Sequence, residues 1–151
     1  PDRIIVGEVR GGESMDLLQA MSTGHSGSMG TIHANDPGGC LRRMETLATY
    51  GSTGDIPLSA IRTQVATALE CIVQVNRFGD GSRKLTHVAE VLPLDLQGNY
   101  QTKTIFEFKL KGHDPATGKI LGEVEPTGEV SGFLPQAPMF GIDVDESFFK
   151  V

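Results

Sequence analysis

The sequence predicts an α/β domain followed by an antiparallel β meander and an extended tail. Two observations lead there. Short β-branched runs alternate with helix-patterned segments as far as Leu69, and beyond it apolar or aromatic runs are separated by short glycine-containing turns.

The first run, Arg3 to Val6, is bounded by Gly7 and reads as a strand buried on both faces, as in a parallel sheet. After Gly11-Gly12, Glu13 to Met21 carries apolar residues at helical spacing and acids in its first turn, and Gly24 supplies a stop. Met29 to His33 is the second strand. Asp36 then caps, and Pro37 opens, a helix through about Tyr50. Gly51 to Asp55 reads as a loop. Pro57 begins a third helix with Leu58, Ile61, Val65, Ala68 and Leu69 on one face. The runs Cys71 to Phe78, Leu85 to Leu92 and Tyr100 to Leu110, joined by GDGS and QGN, predict a three-stranded meander. HDPATGKI turns toward one more strand, and Glu123 to Val151 is expected to lie on the domain as an extended strap anchored by Phe133, Phe140, Phe148 and Phe149.

At 151 residues and 38% hydrophobic, the chain is long enough for a core of its own. A net charge of −6 argues against nucleic acid as a partner, because phosphate backbones require a basic face. Cys40 and Cys71 are too few and too far apart for a disulfide framework and read as buried thiols of a reducing compartment. No apolar run approaches the roughly 18–20 residues of a membrane span. Met15, Met21, Met29 and Met44 read as core filler. The chain opens Pro-Asp-Arg-Ile-Ile-Val, straight into a strand, as a piece of a longer polypeptide would.

Chemistry concentrates in two stretches. IIVGEVRGGE places Glu8 just beyond the first strand, at the carboxyl edge where α/β sheets hold ligands. A carboxylate there can orient an attacking water, and Arg10, two residues on, can neutralise charge on phosphate oxygens. TGHSGSMGTIHAN ends the second strand and brings His33 to the same edge, while glycines and hydroxyls around His25 leave room for a ligand. A plainer reading stays open: GEVRGG as a strand-to-helix turn with a surface Glu–Arg pair, and histidines satisfied by backbone carbonyls. A zinc site would need three or four donors, and no spacing here assembles them.

PDRIIVGEVRGGE followed by LLQAMSTGHSGSMGTIHAN resembles the type II/type IV secretion ATPase superfamily, and within it the tight-adherence (Flp) pilus assembly ATPases. The likeness continues through PLSAIRTQVATAL and VNRFGDGSRKLTHVAEV and fades in the tail. It implies the C-terminal part of a RecA-like P-loop ATPase core over 1–112, with 113–151 as an extension packed on it. By position, Glu8 falls on the Walker B glutamate that activates water, Gly7 on the place of the usual metal-binding aspartate, and His33 and His25 in the histidine box.

The resemblance implies catalytic roles for Glu8, His33 and Arg10 and nucleotide contacts for His25, Gly7 and Thr31. It further implies ATP and Mg2+, a hexamer, an inner-membrane platform protein as partner, and a place on the cytoplasmic face of that membrane. The chain lacks the run G-x-x-x-x-G-K-[ST] that grips phosphates; its one Gly-Lys pair, Gly118-Lys119, is followed by Ile120. That loop is expected upstream of Pro1, and the piece alone is expected to be inactive. The rival expectation is a non-catalytic module that docks on a membrane platform protein.

Overall fold

The computed structural model describes residues 1–52, 54 and 56–151; Thr53 and Asp55, which belong to the expected loop Gly51–Asp55, lie outside them. The chain divides into two compact units, one of residues 1–70 and 91–102, the other of residues 71–90 and 103–151.

The first unit begins with β1 (Ile5–Val6), crosses through α1 (Glu13–Ser22) and returns to β2 (Met29–Gly30), which pairs with β1 in parallel. A helical crossover is what a parallel pair requires. The backbone pairing outlasts the two-residue strands: Thr31 N–H donates to Val6 O at 3.3 Å and Val9 N–H to Thr31 O at 2.8 Å. α1 closes at Thr23, and Gly24 follows at φ +90°, a conformation that costs glycine no steric penalty.

In α2 (Pro37–Gly51), Asp36 caps by accepting Gly39 N–H at 2.7 Å, with Pro37 at the first turn. α3 (Leu58–Ala68) turns Ile61, Val65 and Ala68 inward, and Leu58 stays 47% exposed at its open first turn. The helices pack on one another around Leu17, Leu18, Leu41, Met44, Leu47 and Val65, all buried. Each such side chain contributes about 1.5–3 kcal/mol by leaving water. The start of α1 and the end of α2 approach closely at Gly12 and Gly51, where a Cβ added to Gly12 would stand 2.7 Å from the Gly51 Cα.

The second unit is an antiparallel sheet in the order β3 (Cys71–Arg77), β4 (Arg83–Leu92), β5 (Gln101–His113) and β6 (Ile120–Pro126). The strand expected after HDPATGKI forms as β6 and joins the three of the expected meander as a fourth. The fourth forms because Asp114 folds the HDPATGK turn, accepting the N–H groups of Ala116 and Thr117 at 2.8 Å each, so that β6 returns along β5. The tail is not a plain extended strap. It makes two 3-10 turns, Leu134–Phe140 and Glu146–Phe149. Pro135 and Pro138 suit the fixed φ of such a turn and deny an α-helix its hydrogen bonds. Of the four phenylalanines expected to anchor it, Phe149 is buried against Phe106, whereas Phe133, Phe140 and Phe148 are 39%, 75% and 60% exposed. The firmer anchor is polar. Buried Glu90 on β4 accepts the Ser131 hydroxyl and the Gly132 N–H at 3.0 Å, with Lys103 Nζ at 3.4 Å.

Three further expectations about burial are corrected. Ile5 is 63% exposed and Met29 59%, because a two-stranded sheet is too narrow to cover both faces. Cys71 is exposed while Cys40 is buried, since Cys71 and Ile72 point to opposite faces of β3 and Ile72 takes the inner one.

Asp80 ties the β3–β4 turn to the start of β6: its carboxylate accepts Ile120 N–H at 2.7 Å and the Ser82 hydroxyl and N–H at 2.7 and 2.9 Å. These donors, Ile120 N–H foremost, hold its pKa down to about 2. Because the folded pKa is depressed, the contribution is complete above the ordinary carboxylate range and is lost as pH falls through the folded value. The Ile120 amide proton should therefore titrate with a midpoint at about 2 and stop titrating in Asp80→Asn. A midpoint at an ordinary aspartate value would mean the contact does not form in solution.

Candidate functional site

The β1–β2 pairing delivers the site. Glu8 lies two residues past β1 and His33 three past β2, at the same end of the parallel pair. Their side chains meet, with His33 Nε2 3.1 Å from Glu8 Oε1. The other carboxylate oxygen, Oε2, takes the Arg10 guanidinium. Glu8 is 26% exposed, Arg10 77% and His33 92%, so the two donors face solvent while the acceptor is partly sheltered.

The Arg10 hydrogen bond is the largest influence on Glu8 and holds its pKa below the ordinary glutamate range; desolvation, the next largest, opposes it, and the charges of Arg10 and His33 lower it further. Arg10 is raised in turn, chiefly by its hydrogen bond to Glu8. Glu8 is therefore an ionised acceptor at neutral pH. With its basicity suppressed by Arg10, it is better suited to orienting a water than to removing its proton while that contact lasts.

Thr31 joins the two strands at the site by donating its hydroxyl to Gly7 O at 2.5 Å. Nothing lies within 4 Å of where a Gly7 Cβ would stand, so this edge is open. His25 is not brought into the Glu8 cluster by any hydrogen bond or ion pair among the described residues. It sits in the turn before β2, where its carbonyl accepts the Ser28 hydroxyl at 2.7 Å and its Nδ1 is buried without a hydrogen-bond partner.

Two positioning residues escape sequence reading. Glu13 accepts the N–H groups of Arg10 and Gly11 at 2.6 and 3.0 Å, and these bonds, the Arg10 N–H first, lower its pKa. It fixes the turn from which Arg10 reaches Glu8. The signal was present, an acid three residues after the turn as in a capping box, but acids in a first helical turn are also explained by the helix dipole alone. Ser28 accepts Ile4 N–H at 2.9 Å while donating to His25 O, clamping the histidine turn to the strand before the site. A small hydroxyl among glycines gives no such notice.

The arginines of the helices separate. Arg62 is committed to Glu45 through a two-point ion pair, Nε to Oε2 at 2.9 Å and Nη2 to Oε1 at 3.1 Å, and lies over the Tyr100 ring. Arg42 is 70% exposed and reaches only to 4.0 Å from Asp36. Among the described residues no group of three or more His, Cys, Asp or Glu is arranged to hold a metal ion.

A Mycobacterium tuberculosis protein named for conjugal transfer is 42% identical over 106 residues, which are 70% of this chain and 29% of that protein. The conjugal transfer protein TrbB of Rhizobium radiobacter is 37% identical over 115 residues, 75% of this chain and 33% of its own. Among solved structures, the VirB11 ATPase from the Brucella suis type IV secretion system, in complex with sulphate, superposes with a TM-score of 0.55 at 28% identity, covering 60% of this chain and 28% of that one. The chain spans about a third or less of the length of these relatives. Residues 1–106, with Glu8, Arg10 and His33 among them, match the family described as type II/IV secretion system protein, and the chain belongs to that family.

Proposed function

We propose that the chain is part of a cytoplasmic hexameric ATPase motor, working against an integral platform protein at the inner membrane. It couples ATP hydrolysis to tight-adherence pilus assembly or to type II/IV secretion. One observation carries the reading: His33 Nε2 stands 3.1 Å from a Glu8 carboxylate whose other oxygen is held by Arg10. Glu8 orients the attacking water, and Arg10 and His33, both exposed, meet the terminal phosphate. A phosphate that takes the guanidinium removes from Glu8 the largest influence lowering its pKa, so substrate arrival itself makes Glu8 the stronger base.

The open, glycine-bordered edge and its two exposed donors fit a terminal phosphate. Among the described residues no group of three or more His, Cys, Asp or Glu surrounds this edge, which fits a Mg2+ ion carried mainly by phosphates and water rather than by a protein cage. Bound Mg2+ would spread the charge developing on the phosphate oxygens. His25, Gly7 and Thr31 form the rim of the nucleotide site, Thr31 by keeping the two strands in register.

The phosphate-gripping lysine loop is not among these 151 residues, so ATP reaches Glu8 only where another segment presents it. ATP turnover by this chain, measured beside a longer polypeptide that contains it, tests the reading. No turnover is expected from the chain alone. Turnover by the chain alone at the rate of the longer polypeptide would overturn the proposal.

A further inference from the structure

The family match ends at residue 106, and beyond it the chain carries a surface with a chemistry of its own. Residues 123–151 hold six acids against Lys150 alone, a net of −5 in a chain whose total is −6. Some are engaged: Lys111 takes Glu123 and Glu125, and Asp145 accepts Ser147 N–H at 2.7 Å. Asp143 and Glu146 are exposed and form no ion pair with any described residue.

In the same stretch of sequence Met139 is 82% exposed, Phe140 75%, Ile142 55% and Phe148 60%. The backbone holds the first three outward. Gly141, at φ +71°, ends the turn Leu134–Phe140, and Ile142 N–H returns to Ala137 O at 3.0 Å, so that Ala137 takes the buried position. Phe148 leans edge-on against Phe106 at 5.6 Å and Phe149 at 5.4 Å and keeps its outer side in water.

Large apolar side chains concentrated this way mark an interaction surface, and the interleaved charge selects the partner. Anionic lipid and nucleic-acid phosphate are repelled. A second copy would set like acids against each other. We infer that 139–148 is a docking surface for a basic amphipathic segment of a partner protein, its apolar face on Met139, Phe140, Ile142 and Phe148 and its lysines or arginines on Asp143 and Glu146. The surface stands on exposure and charge alone, whether or not the reading of Glu8 holds.

The test titrates the 151-residue chain with two synthetic helical peptides of one apolar pattern, leucine–lysine and leucine–glutamate, by calorimetry and amide NMR. The leucine–lysine peptide is expected to saturate and to shift amides within 139–148. Binding should weaken about tenfold or more in Met139→Ser/Phe140→Ser and in Asp143→Lys/Glu146→Lys, the size of loss typical of interface anchors. All four positions are exposed, so circular dichroism should show both variants folded. The proposal is overturned by equal binding of the leucine–glutamate peptide, by shifts mapping elsewhere, by folded variants that bind unchanged, or by no saturation below about 1 mM. Self-association abolished by Met139→Ser/Phe140→Ser would assign the surface to a second copy, and capture by phosphatidylglycerol vesicles would assign it to a membrane; either also overturns it.

Discussion

Gly51→Ala should be among the most damaging single-methyl changes in the molecule. A Cβ at Gly51 would stand 2.7 Å from the Gly12 carbonyl carbon and 2.8 Å from its Cα, both backbone atoms that no rotamer change can clear. The start of α1 and the end of α2 would have to separate, in a unit whose Leu18, Leu41 and Leu47 are almost wholly buried. Overpacking of this kind costs about 1–3 kcal/mol, a fall in Tm of about 4–24 °C for a unit this size. Gly79→Ala is the control, since nothing lies within 4 Å of its added Cβ, and it should leave Tm unchanged or slightly raised. Equal Tm values for the two variants would mean that the helices do not meet at this glycine pair. Because Gly12 is two residues from Arg10, the change should also displace the turn that brings the guanidinium to Glu8.

The second large effect is chemical. In a polypeptide that contains this segment and turns over ATP, Glu8→Gln should lower turnover by about 10²–10⁴-fold, the range for losing a positioned general base. Nucleotide affinity should stay nearly unchanged, because the carboxylate acts on water rather than holding phosphate. The amide keeps the shape but not the charge, so Arg10 and His33 remain in place while the acceptor is weakened. The pH dependence carries a matching sign. With its pKa lowered, chiefly by the Arg10 hydrogen bond, Glu8 stays ionised to lower pH than an ordinary glutamate, and the ion pair is lost as pH falls through the lowered value. Turnover that survives Glu8→Gln would leave the carboxylate as a structural partner of Arg10.

The strand, turn, helix and strand of the first unit were legible because glycines and capping residues punctuate them: Gly7, Gly24, Asp36 and Pro37 each mark a boundary that the structure keeps. Parallel pairing of two strands joined by a helix then requires their carboxyl ends to coincide, which is why Glu8 and His33 were foreseeable neighbours across 25 residues. Burial was harder to foresee. Ile5, Met29 and Cys71 have core-like side chains, and only the width of a sheet or the face of a strand decides whether anything covers them. The Glu45–Arg62 pair joins two helices through a crossing that no local pattern encodes. In the tail, a stretch rich in glycine, proline and acids read as an extended strap, whereas Pro135 and Pro138 sit within a 3-10 turn whose φ they already match.

The central claim is that Glu8 and His33 act on one reacting centre. A double-mutant cycle on ATP turnover tests it most directly, with Glu8→Gln, His33→Ala and the pair together in the longer polypeptide. Groups serving one step as a unit lose their effects jointly, so the account predicts that the double variant is scarcely slower than Glu8→Gln alone. Losses that multiply independently would contradict it and return His33 to the role of a surface residue that happens to lie 3.1 Å from a carboxylate.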